Sequence, residues 1–364
     1  MNAPRAVLVT GASRFLGGFL TAGLARDDRI ERVIGVDYVQ PSKAMMRRFG
    51  RAEFVRADIR NPLIAKVIRN AGIDTVVHAG LLSRPPRGAG RTMMKDVNVI
   101  GAMQLFAVCQ KSETVRKLVV RSSTAVYGSS PKDPARFTEE TSARSRLRGA
   151  FAIDCREIEG YARGLGRRRA DIDVTILRQA PMVGPLMNGM ISRYLASPLV
   201  PTILGRDARL QLVHEQDALA ALTVAAVSDR SGTFNIAADG VVPLSQAIRR
   251  AGRLEVPLPS PIYRKVGSAI IGPSTGSIDD EHMQYFRYGC GVDTTRMREV
   301  LRFRPERTTL EAIDDYVVGL GKPPVINPEW VTSAAVRIES LLGGRPKPTL
   351  VPALHDSMTN NSAK

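Results

Sequence analysis

The residues of this 364-residue chain best placed to do chemistry are Thr10-Gly11-Ala12-Ser13-Arg14-Phe15-Leu16-Gly17-Gly18, which follow an apolar run at Ala6–Thr10 and open a helical pattern at Phe15–Arg26. A glycine turn feeding a helix N-terminus presents unpaired N–H groups and the positive end of the helix dipole, a seat for a diphosphate. The next apolar run, Val33–Val36, ends in Asp37, twenty residues beyond Gly17. A carboxylate there can accept hydrogen bonds from ribose hydroxyls and would repel a 2′-phosphate; it could also simply cap a turn. Strand, glycine turn, helix, strand and acid in that order predict a dinucleotide site. The three cysteines, Cys109, Cys155 and Cys290, are too scattered for a disulfide framework or a zinc site, and Cys155 has no nearby histidine to activate it.

The elements that must position this turn can be read from periodicity. Short β-branched runs at Ala6–Thr10, Val33–Val36, Thr75–Val77, Leu118–Val120 and Val174–Leu177 alternate with helical patterns such as Phe15–Arg26, Val97–Gln110 and Phe151–Arg167. That alternation predicts an α/β Rossmann fold, a doubly wound parallel sheet covered by helices on both faces. Beyond about residue 180, prolines and glycines become frequent and the rhythm loosens. The expected division is a dinucleotide-binding domain over 1–180, with later segments contributing to it, a smaller α/β substrate-type domain over 181–342, and a mobile tail over 343–364. Further helical patterns lie at Asp217–Val227, Thr294–Leu301 and Thr309–Leu320, and the Pro-rich stretch from Val256 to Pro273 reads as irregular loop.

Composition narrows the class. No apolar stretch approaches the ~18 residues a membrane helix needs, and the first strand begins too early for a signal peptide, so a soluble cytoplasmic protein is expected. The net charge of +17 invites a nucleic-acid reading. The basic residues are spread along the chain, however, and aromatics at 5% are too few for a base-stacking platform. An acidic small molecule such as a nucleotide accounts for part of the charge.

Taken together, these motifs resemble the extended short-chain dehydrogenase/reductases, or NAD-dependent epimerase/dehydratases, of the UDP-glucose 4-epimerase-like kind. The family's TGxxGxxG turn is matched by Gly11 and Gly17, with Arg14 replacing the middle glycine. The resemblance continues through Asp58-Ile59, His78-Ala79-Gly80, Asn98 with Gly101, Ser122-Ser123 through Tyr127-Gly128, and Leu177-Arg178 through Gly184-Pro185. His214 with Asp217 and Phe234-Asn235-Ile236 resemble the segments opening the substrate domain, and Val292-Asp293 through Pro305 a late family stretch. It implies cofactor contacts at Gly11, Ser13, Arg14, Phe15, Leu16, Gly17, Asp37, Asp58, Ile59, His78, Ala79, Gly80 and Asn98, and a catalytic hydroxyl at Ser123. The cofactor implied is NAD; Arg14 keeps NADP open, because such an arginine binds a 2′-phosphate in some relatives. Plainer roles exist for several of these residues: His78 satisfying a strand end, Ser122 and Ser123 capping a turn, Asn98 capping a helix or bracing strands. Many relatives dimerise through two helices, here Val97–Gln110 and Phe151–Arg167, so a homodimer is expected.

One family feature is absent. The resemblance implies a Tyr-x-x-x-Lys pair on one helix face, the tyrosine as acid/base and the lysine lowering its pKa. Glu159 aligns with the acidic residue that follows that pair, which puts Phe151 at the tyrosine position and Cys155 at the lysine position. No other register serves: none of the eight tyrosines has a lysine four residues later, and no lysine occurs between Asp133 and Arg264. Pro181 also stands where many nucleotide-sugar enzymes carry an asparagine. Asp154 and Arg156 point to other helix faces. Two readings follow: a dinucleotide-binding protein without the family's Tyr/Lys chemistry, or a nucleotide-sugar epimerase, dehydratase or reductase using another acid/base group. No metal is expected.

Overall fold

The computed structural model describes residues 3–85, 88–141, 147, 149–271 and 280–321. Its centre is a seven-stranded sheet made by β1 (Ala6–Thr10), β2 (Arg32–Asp37), β3 (Glu53–Arg56), β4 (Thr75–His78), β5 (Lys117–Ser123), β6 (Asp173–Gln179) and, at one edge, the strand Gly232–Ile236. From that edge the order is Gly232–Ile236, β6, β5, β4, β1, β2, β3, and every neighbouring pair is parallel. The chain switches direction between β1 and β4, the crevice where doubly wound sheets take their ligands. Central strands such as β1 are buried on both faces, which is why they read as unbroken apolar runs. By contrast β3, Glu53-Phe54-Val55-Arg56, is an edge strand with exposed charged ends and no apolar run for the sequence to reveal.

Helices flanking this sheet include α1 (Phe15–Leu24), α2 (Lys43–Arg48), α3 (Leu63–Asn70), α4 (Arg91–Lys95), α5 (Gly101–Lys111) and α6 (Ala150–Arg168), and the later helix Glu215–Val227 packs against β5, β6 and α1. A single π-helical turn, Asp96–Ile100, joins α4 to α5. On α6 the buried residues Ala152, Cys155, Ile158, Ala162 and Leu165 recur every three or four positions. This is the apolar stripe by which a helix seats on a sheet. Cys155 belongs to that stripe.

After β6 the chain builds short pairings before and after its return to the sheet. Phe234-Asn235-Ile236 lies in the central sheet, where it pairs with β6 in register Leu177, Arg178 and Gln179. The stretch from Val256 read as loop is instead regular. Leu254–Leu258 pairs in parallel with Leu199–Ile203, and Ser260–Ile271 is a helix. Its prolines sit where they are tolerated, Pro257 in a short two-stranded sheet and Pro261 at a helix start. Pro273 and the tail lie outside the described residues. No described helix is long and apolar enough to cross a membrane.

The turn after β1 depends on Gly11. Its φ is +74°, and a Cβ there would stand 2.5 Å from the Gly80 Cα. We expect Gly11→Ala to destabilise by about 2 kcal/mol or more. Gly23→Ala, in α1 with no neighbour near its Cβ position, should be neutral or stabilise by up to ~1 kcal/mol. Urea unfolding of both variants checks the contrast.

Candidate dinucleotide site

The glycine turn is held by α1 and by the end of β2. Gly17, third in α1, packs so closely that a Cβ would lie 2.3 Å from the Gly11 carbonyl oxygen. Ser13 donates from Oγ (2.5 Å) and from its amide (3.2 Å) to one Asp37 carboxylate oxygen, and the other accepts the Val39 amide at 3.2 Å. Asp37, only 5% exposed, thus ties the end of β2 to the turn. Arg14 is the α1 N-cap; it has φ −97° and ψ 163° and makes no side-chain cap hydrogen bond. That backbone suits any residue, so the missing middle glycine brings no strain. The Arg14 side chain reaches instead toward the Tyr38 hydroxyl, 3.5 Å away. The first amides of α1 are left without a capping side chain, the condition under which a helix N-terminus accepts an anion.

Several resemblance residues are occupied by protein partners. His78 is fully buried, its Nδ1 2.9 Å from Thr10 Oγ1 and its ring edge-on to Phe106. Burial, aided by the charge of Arg121, pushes its pKa down to about 4, so it stays neutral. Asn98, turned inward from the π-helical segment, accepts from the Leu82 amide (2.8 Å) and donates to the Leu82 carbonyl (2.9 Å) and Asp154 (3.0 Å). It braces the loop after β4, where Ala79 and Gly80 pass the turn. Asp58 forms a two-pronged pair with Arg60, and Ile59 packs where a Cβ on Gly101 would stand.

Ser122 and Ser123 face opposite sides of the sheet, as strand alternation requires. The Ser123 Oγ accepts the Ala125 amide at 3.2 Å and so caps the following 3₁₀ turn. Ser122 donates to Glu159 Oε1 at 2.6 Å and enters a buried network. There Arg178 grips Glu159 (3.0 and 2.8 Å) and donates to the Tyr127 hydroxyl (2.8 Å), which donates to Asn235 Oδ1 (2.7 Å). Burial opposes ionisation of Glu159, but Arg178, with Ser122 and Arg163, outweighs it and holds the carboxyl below the usual glutamate range. A cavity of about 510 Å³ opens beside this network, bordered by Glu139, Arg156, Glu159, Arg163, Arg178 and Arg296; neither Ser123 nor the glycine turn lines it.

Around the missing pair, Phe151 is partly buried against a cluster containing Leu82, Met94 and Val97, and Cys155 is 1% exposed within the core. Asp154, fully buried, is paired to both Arg91 terminal nitrogens and to Asn98. Arg156 faces outward, at the cavity on the Glu159 side. His214 and Asp217 sit apart from the turn. His214 Nε2 lies 2.9 Å from Asp315, and Asp217 accepts the Glu306 and Arg307 amides. Burial raises the Cys109 and Cys290 thiols to about 12. Among the described residues no three of His, Cys, Asp and Glu gather as a metal would need. Reasoning from sequence passed over Arg121. Its position two residues before Ser123, and hence on the same sheet face, was the available signal.

This parallel sheet, with its glycine turn at the switch point, defines a Rossmann-type dinucleotide-binding fold. Over residues 7–237 the chain matches the family model described as NAD dependent epimerase/dehydratase family. The chain belongs to that family, within the extended short-chain dehydrogenase/reductases. It is 58% identical over 330 residues to the uncharacterized protein Rv0501 of Mycobacterium tuberculosis, covering 91% of this chain and 88% of the relative. The fold is shared with the UDP-glucuronic acid 4-epimerase of Bacillus cereus, solved with UDP-glucuronic acid and NAD (TM-score 0.66, 16% identity, 86% of this chain and 98% of that one). It is shared also with the dTDP-glucose 4,6-dehydratase of Bacillus anthracis, solved with NAD (TM-score 0.64, 18% identity, 86% and 96%).

The depressed Glu159 contributes stability that is fully present above about 4.5, the ordinary value, and lost as pH falls through its lower folded value. Glu159→Gln leaves Arg178 buried without its counter-charge and should cost about 3 kcal/mol or more at neutral pH. Chemical unfolding of the two proteins from pH 7 to pH 3 should show the gap closing in acid.

Proposed function

We propose that the chain binds NAD(H) as a nucleotide-sugar epimerase/dehydratase-type protein and does not perform the Tyr/Lys proton transfer of its family. The observation that carries this is the contrast between the two halves of the site. The phosphate turn has its glycine contacts, its uncapped helix end and its β2 carboxylate, all of which fit a dinucleotide. The positions for acid/base work hold a phenylalanine and a core cysteine, and the adjacent Asp154 is spent on Arg91. Phe151 has no exchangeable proton, and a positioned acid/base is worth roughly 10²–10⁴-fold in rate. The resident NAD would supply hydride chemistry when bound. Gly11, Ser13, Arg14, Phe15, Leu16 and Gly17 would hold its diphosphate, and Asp37 its adenosine ribose. That carboxylate, repelling a 2′-phosphate, favours NAD over NADP.

The segment from residue 181 onward we assign to a nucleotide-sugar-like ligand, as a substrate-type unit. A homodimer through α5 and α6 is supported by Met103 and Tyr161, large hydrophobic residues exposed on those helices. Buried thiols, in no disulfide among the described residues, accord with a cytoplasmic location.

Fluorescence and calorimetric titration of the purified protein should show micromolar binding of NADH, tighter than NADPH. With UDP-glucose or UDP-glucuronic acid added, no epimer and no reduced cofactor should accumulate. Absence of NADH binding refutes the reading. Turnover that Ser123→Ala abolishes would instead establish family chemistry through another acid/base group. A monomeric mass in solution at micromolar concentration would rule out the dimer.

A further inference from the structure

Two cations of the site have no carboxylate partner. Arg121 projects from β5 on the Ser123 side of the sheet, opposite to the face where Ser122 meets Glu159. Its Nε donates to Gln179 Oε1 at 3.1 Å and its Nη1 to the Leu81 carbonyl at 3.4 Å, both neutral acceptors. Arg14, on the turn, makes among the described residues only the long side-chain contact to the Tyr38 hydroxyl. None of the described aspartates or glutamates pairs with either arginine, although most neighbouring charges are matched: Asp58 with Arg60, Asp154 with Arg91, Glu159 with Arg178.

Such an arrangement costs free energy as it stands. Burial, partly opposed by Cys155 and reinforced by the positive charge of Arg14, pushes the Arg121 guanidinium down to about 10. It nevertheless remains charged at neutral pH. A partly buried guanidinium is stabilised by an anion far more than by amide oxygens, and planar guanidinium groups suit phosphate oxygens in particular. Both side chains belong to elements around the switch-point crevice: Arg14 on the turn after β1, Arg121 on β5 against the loop after β4.

We propose that Arg14 and Arg121 form an anion clamp on the diphosphate of the bound dinucleotide, one guanidinium from the turn and one from the sheet. This rests on the dinucleotide reading above and adds the residues that neutralise the ligand. The clamp gives the arginine at the middle turn position a task.

The test is calorimetry with NADH, with ADP-ribose, which keeps the diphosphate but lacks nicotinamide, and with adenosine, which lacks phosphate. The wild type is compared with Arg121→Met, Arg14→Met and Arg121→Lys, thermal melts serving as the folding control. Each methionine variant should weaken NADH and ADP-ribose 10- to 100-fold and leave adenosine unchanged, with Arg121→Lys intermediate. Wild-type affinity for ADP-ribose should fall as salt rises, and this readout holds even if a methionine variant folds poorly. NADH binding within twofold of wild type in a folded Arg121→Met, or salt-independent ADP-ribose binding, overturns the clamp and leaves the dinucleotide reading intact. A wild type that binds none of the three overturns both.

Discussion

Behind the sheet, Glu159 of α6 and Arg178 of β6 meet with exposures of 1% and 9%, a fully ionic pair almost sealed from water. Dehydrating two charges is expensive, so such a pair persists only where further hydrogen bonds satisfy the remaining donors and acceptors. Ser122 of β5 supplies one of these and Tyr127 another. Through Tyr127 the chain of bonds passes to Asn235, whose amide nitrogen reaches the carbonyls of Phe137 and Asp293. Sequence positions from 122 to 293 are thereby tied to one ion pair. The network thus joins β5, β6, the strand Gly232–Ile236 and α6 at one point.

The rotation of α6 decides the chemistry on the opposite face. Once Glu159 is anchored, Cys155 one turn earlier is carried into the core stripe, and Asp154 is carried to Arg91 and Asn98. The Asn98 contacts in turn hold the loop after β4 against the glycine turn. The frame on both sides of the crevice is therefore complete, while the helix positions that would carry an acid and its partner cation present an aromatic ring and a buried thiol.

The charge pattern agrees. Most arginines near the sheet are matched by a carboxylate or spend their donors on carbonyls, as Arg51 and Arg169 do. The excess positive charge of the chain is thus not a single patch, and among the described residues Arg14 and Arg121 meet neutral oxygens and no carboxylate.

The sequence by itself determined the parallel α/β architecture, because buried strands such as β1 are apolar on both faces and leave unbroken runs. It determined the tight glycine turn after β1 too, since Gly11 and Gly17 stand where backbone meets backbone and no side chain fits. The absence of a Tyr-x-x-x-Lys pair is likewise a property of the order of residues alone. The tertiary structure decided what depends on distant partners. It set β3 at an edge, where charged ends hide a strand, and brought Gly232–Ile236 back beside β6. It turned the Pro-rich stretch after residue 254 into a strand and a helix, because prolines at an element's start or in a short two-stranded sheet cost little there. It also separated residues adjacent in sequence: Ser122 to the ion pair and Ser123 to the crevice, Asp154 to Arg91 and Cys155 to the core. Whether Arg121 meets a carboxylate or stands open to a ligand depends on side chains from β4, β6 and the turn, which no local spacing records.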